Sequence, residues 1–214
     1  MSIRTALVAL SFALLTQTAT AVELSAIIEP AALTQAVAVD HSASWEAHLR
    51  QQRQAKMARL QAYSNQGVFP EDPTADGFFH SFLDLNGTPC AVADLMWNSG
   101  AVDLVQQTAA TQNDVVLSEV ADGPLVDWML TSGLTREEVA VIQEPGFNAR
   151  MMEMPDPIEV PLDVQAQQVE QRRIRAHLQA ALMLLQADTE SSIAKAMSRL
   201  GDRIKEAPPT VEGV

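Results

Sequence analysis

One thiol and one imidazole are the residues of this chain best suited to covalent chemistry. Cys90 is its single cysteine, and His80 precedes it by ten positions. A cysteine at the second position of a helix lies near unpaired backbone N–H groups, which favour the thiolate. If a turn at Asn86 and Gly87 folds the chain back over that helix start, His80 can act as general base while Asp84 or Asn86 orients its ring. Such a pair would serve a thiol-dependent hydrolase or transferase, and Cys90 and His80 are the candidate catalytic residues. The opposing reading is that Cys90 packs as a small apolar group: Ala-Val-Ala follows it, and no known nucleophile signature surrounds it.

Other chemistries find less support. His41, His48, His80 and His177 are scattered, and no pair has the i, i+4 spacing of a helical zinc site. Asp84, Leu85, Asn86 and Gly87 resemble the opening of a calcium loop, but Pro89 and Cys90 follow where acidic ligands belong and Leu95 stands at the twelfth place. No Gly-rich phosphate loop and no Gly-x-Ser-x-Gly elbow occurs. Neither a metal nor a cofactor is implied. Trp97, Trp128, Met96 and Met129 could line a ligand cavity, although their helical spacing places them with the core.

The elements that must position these residues are helical. Ser42 or Ser44 can cap a helix that runs to about Asn65 and stops at Gly67. Its Arg50, Arg53, Lys56 and Arg59 read as a solvated basic face. Pro70, Pro73 and Gly77 make a loop, and residues 78–85 can form one short strand. Thr88 then reads as an N-cap with Pro89 at the first helical position, and Gly100 ends that helix. Further helices are expected over 101–110, from Pro124 to Gly133, and from Thr135, where Thr135 and Glu138 form a capping box and Leu134 and Val139 a staple. The stretches 94–100 and 127–133 match at Asp, Met, Ser and Gly, which suggests one helix–Gly corner used twice.

Residues 150–163 are Pro-rich and acidic and read as a linker. From 164 to 206 an apolar stripe recurs at helical spacing through Ile174, Leu178, Leu182, Leu185, Ile193, Met197 and Leu200. Asp188 and Thr189 could cap a second helix and make a hairpin, or the stripe could continue as one rod of roughly 60 Å. One apolar stripe must dock on the main domain or pair with a second copy.

Arg4, the apolar run from Ala6 to Leu15, and the small residues Ala19, Thr20 and Ala21 have the layout of a secretory signal peptide. Export to the periplasm or beyond is therefore expected, with no stable membrane insertion once residues 1–21 are removed. The remainder carries 13 basic and 27 acidic residues, a net charge of −14, which disfavours nucleic acid as a partner.

At Phe82, Leu83, Asp84, Gly87, Cys90, Ala91, Val92, Ser99, Gly100, Asp103, Leu104, Val105, Asn113, Trp128, Ser132, Gly133, Leu134, Thr135, Glu138, Ile142 and Gln143 the chain resembles a group of exported bacterial proteins of uncharacterised function. The likeness spans about residues 60–145 and implies no activity, ligand or catalytic residue. The expected architecture is mainly all-α: a signal peptide over 1–21, a leader over 22–41, a bundle of short helices over 42–149 with at most one short hairpin or strand, the linker over 150–163, a C-terminal helix or hairpin over 164–206 and a tail over 207–214. The expected function is that of a non-enzymatic interaction module, binding a protein partner or itself through the C-terminal helix.

Overall fold

A computed structural model describes residues 40–70, 81–143 and 164–209. The expected signal peptide, nearly all of the leader, the Pro-rich linker, most of the tail and His80 lie outside the described residues. Those described are all-α: helices α1 (Ser42–Gln66), α2 (Ala91–Trp97), α3 (Val102–Gln112), α4 (Pro124–Thr131), α5 (Arg136–Gln143), α6 (Val164–Ala187) and α7 (Thr189–Leu200), then a 3-10 turn over Gly201–Lys205. No helix among them is long and apolar enough to cross a membrane.

The expected short strand is reduced, among the described residues, to a single antiparallel bridge between Leu83 and Pro89. The reason is that a side chain replaces the neighbouring strand. Asn113 accepts from the Leu83 N–H through Oδ1 at 2.9 Å and donates from Nδ2 to the Leu83 carbonyl at 2.7 Å. Gln143 clamps the loop after α3 in the same way, accepting from the Leu117 N–H at 2.8 Å and donating to the Val115 carbonyl at 2.7 Å. Asp84 Oδ1 accepts from the Asn86 and Thr88 N–H groups and so holds the turn that the sequence marks there.

Helix ends follow their chemistry, with two shifts. The start of α1 is held by Asp40, whose Oδ1 accepts from both the N–H and the hydroxyl of Ser42, rather than by Ser42 or Ser44 as cap. Because Pro89 is engaged in the bridge, α2 begins two residues later than expected, and Cys90 is its N-cap instead of its second residue. The capping box of α5 forms as read: the Thr135 N–H donates to Glu138 Oε2 at 2.7 Å and the Glu138 N–H donates to Thr135 Oγ1 at 3.2 Å.

Helices α6 and α7 lie antiparallel along α1. Gly67 abuts Arg175, Arg53 reaches Leu185, Arg50 reaches Glu190, and Trp45 donates to the Arg203 and Glu206 carbonyls, so position rises on one side as it falls on the other. Ile174, Leu178, Leu182 and Leu185 share one core with Leu60, Tyr63, Val92, Leu95, Met96 and Val139, while Ile193, Ala196 and Leu200 close on Trp45 and Leu49. Burying each of the Leu, Ile, Val and Met side chains among them stabilises by roughly 1.5–3 kcal/mol. The helical break between α6 and α7 is confined to Asp188. There the Leu185 carbonyl accepts from Arg53 Nη2 at 2.6 Å and from Thr189 Oγ1 at 3.1 Å. Side chains inserted into the i→i−4 ladder bend a helix.

Candidate functional site

Cys90 occupies a helix N-terminus, the place where thiolates are usually favoured, yet its surroundings cancel that advantage. Sγ accepts a long contact from the Ala93 N–H, 3.5 Å, and the residue is buried. Burial pushes the thiol up to about 11, against the lowering effect of the Ala93 and Val92 N–H groups, and the nearby Asp94 carboxylate adds to the rise. At neutral pH the sulfur is therefore a protonated core atom. Tyr63 packs near it, donates from its hydroxyl to the Pro89 carbonyl at 2.8 Å, and is itself held protonated by burial. Of the two groups proposed to orient His80, Asp84 Oδ1 holds the turn and Asn86 is exposed.

The basic side chains of α1 are where the structure departs most from the sequence reading. They do not form a solvated face: Arg53 is 1% exposed and Lys56 5%, and both stand on the stripe that carries Trp45, Leu49, Leu60 and Tyr63. Arg53 donates to Glu138 through both terminal nitrogens, at 2.9 and 2.7 Å, and also to the Gly133 and Leu185 carbonyls. Ser192 donates to Glu138 Oε1 at 2.7 Å. Burial alone would raise the Glu138 carboxyl, but the guanidinium, the Thr135 N–H and the Ser192 hydroxyl outweigh it, and it lies below its ordinary range. The cluster ties α1, α5, α6 and α7 together at one point.

A second pair ties α1 to α2. Arg59 donates to both Asp94 oxygens, at 2.6 and 2.5 Å, and Asn98 donates to the same carboxylate. Lys56 has no such partner among the described residues. Its ammonium donates to the neutral Gln52 Oε1 at 2.9 Å, and burial lowers it to about 8. His48, edge-on to Trp45, is lowered chiefly by burial and further by the charge of Lys56, with the Thr131 carbonyl opposing.

The remaining candidates are core or surface. Met96, Trp128 and Met129 are buried in the main cluster, Trp97 packs against it, and Trp128 Nε1 donates to Ser99 Oγ at 3.0 Å. His177 contacts the Val141 carbonyl at 2.7 Å. Among the described residues no three His, Cys, Asp or Glu side chains converge as metal ligands. Two open recesses lie among the described residues, one of about 250 Å³ beside Glu119 and Asp122 and one of about 170 Å³ beside Arg172 and Arg175.

A surface the sequence reading missed is the outer side of α6. Val169, Met183 and Leu184 are 57%, 69% and 55% exposed, while Ile174, Leu178 and Leu185 of the same helix are buried. Ala176 and Ala180 fall between them in sequence, Ala187 follows, and together they were legible as part of a second apolar stripe. No protein-family model, no curated protein and no solved structure matches the chain.

Proposed function

We propose that this chain is an exported, non-enzymatic helical contact module that meets a protein partner through the outer face of α6. The observation that carries the reading is the division of α6 into two apolar faces, one spent on α1 and the other exposed at Val169, Met183 and Leu184. Exposed apolar patches on an otherwise acidic surface mark contact sites. Export is supported by the basic, apolar and small residues at positions 4, 6–15 and 19–21.

The thiol-dependent alternative needs a reactive thiolate at Cys90, which the burial of that side chain opposes. Native alkylation separates the two: slow modification at neutral pH, accelerated on unfolding, agrees with a contact module, whereas rapid modification that depends on His80 would restore the enzyme.

The contact reading is tested by a photo-cross-linking residue at position 183, with position 54 on the exposed side of α1 as control, in cells that make the full chain. A discrete adduct from 183 and none from 54 is expected. No adduct from 183 would remove the reading.

A further inference from the structure

The outer face of α6 has a pattern of its own. Val169, Ala176, Ala180, Met183 and Ala187 fall on alternating steps of four and three, with Arg173 filling the one gap. That is the seam of a two-stranded coiled coil, distinct from the inner stripe through Ile174, Leu178 and Leu185. We infer that the partner of this face is a second copy of the chain, docked antiparallel with α6 against α6; this rests on the contact reading above.

Two observations select that occupant and that direction. The first is side-chain size. In an antiparallel register centred between Ala181 and Leu182, Ala180 of each copy faces the partner's Met183, and Ala176 faces the partner's Ala187, so the bulky Met183 meets a small residue and two alanines meet each other. A twofold contact needs one self-complementary patch, and this stripe is complementary to its own reverse.

The second observation is charge. Exposed Arg172 stands near the start of the stripe, and exposed Asp188 and Glu190 stand just past its end. Antiparallel pairing brings Arg172 of one helix towards Glu190 of the other, which lies whole helical turns further on and so on the same side of the seam. Parallel pairing gathers both basic starts at one end and both acidic ends at the other. Glu190 already pairs with Arg50 at 2.7 Å, so the incoming arginine completes a bridged cluster instead of displacing it.

Purified full-length chain tests the inference. Sedimentation equilibrium at tens of micromolar should give a dimer, and Met183→Glu, at a largely exposed position, should give a monomer with unchanged far-ultraviolet dichroism. An oxidised equal mixture of Ala176→Cys and Ala187→Cys chains should form mainly the mixed disulfide. A monomeric wild type, or disulfides only between like variants, would overturn the inference. If the wild type is monomeric while position 183 cross-links to a different protein, the second copy is excluded and the contact reading stands; if 183 yields no adduct at all, both fall.

Discussion

Arg53 carries a full charge at 1% exposure and is compensated almost entirely by groups remote in sequence, Glu138 lying 85 residues away. Two charge-assisted bonds and two carbonyls satisfy its terminal nitrogens, while Nε has no partner among the described residues. Removing one member of such a pair strands the other. Arg53→Met should therefore cost about 3–5 kcal/mol in urea unfolding, and adding Glu138→Leu should restore part of that loss. Lys56 predicts the opposite sign, because its ammonium is buried against a neutral amide. A base held at about 8 when folded, below its ordinary 10.5, binds fewer protons in the native state, so its contribution to stability improves as pH rises from 8 to 10.5 and is most unfavourable below 8. Lys56→Met should raise stability by about 2–3 kcal/mol at pH 7 and by much less at pH 10.5, measured as the difference from wild type at each pH. No difference between the two pH values would contradict the burial. Neither charge was legible as a core residue: a lysine or arginine on a helical stripe reads as solvated until its partner is known.

The corner used twice tests the elements. Gly100 and Gly133 both take positive φ, and in each copy the preceding serine hydroxyl donates to the carbonyl of the methionine three residues before it, at 2.8 Å. The matching aspartates both meet arginines, Asp94 with Arg59 and Asp127 with Arg203. The repeated Asp, Met, Ser and Gly thus recorded real local structure. What the repeat could not record is surroundings. A Cβ on Gly100 meets open space, whereas one on Gly133 would lie 2.3 Å from the Leu49 carbonyl oxygen and 2.5 Å from the Arg53 backbone nitrogen. Gly100→Ala should cost about 1–2 kcal/mol, the strain of a left-handed residue alone. Gly133→Ala should cost clearly more, since α1 must move, and thermal unfolding of the two variants would compare them. Equal losses would mean that the corner does not press on α1. Caps and glycine stops were readable because their chemistry is local; the shift of α2 was not, because it depends on Pro89 pairing with Leu83.

At the scale of the molecule, α6 is a wall of the core that α1, α2 and α5 build, and α7 closes a second, smaller cluster against the start of α1. The apolar stripe over 164–206 announced that they would dock or pair, but only the antiparallel match to α1 decides which face is spent. It also makes truncation at residue 164 a loss of core, so that chain should unfold instead of persisting as a smaller domain. With the inner face enclosed, the outer one stays exposed at Val169, Met183 and Leu184, and the proposed contact depends on that order. Backbone hydrogen exchange of the full-length protein tests it most directly. Amides 174–185 should be protected as strongly as amides 49–60 and should be lost together with them as urea is raised. Rapid exchange across 174–185 while 49–60 remain protected would show the C-terminal helices detached and the inner stripe exposed, contradicting the account.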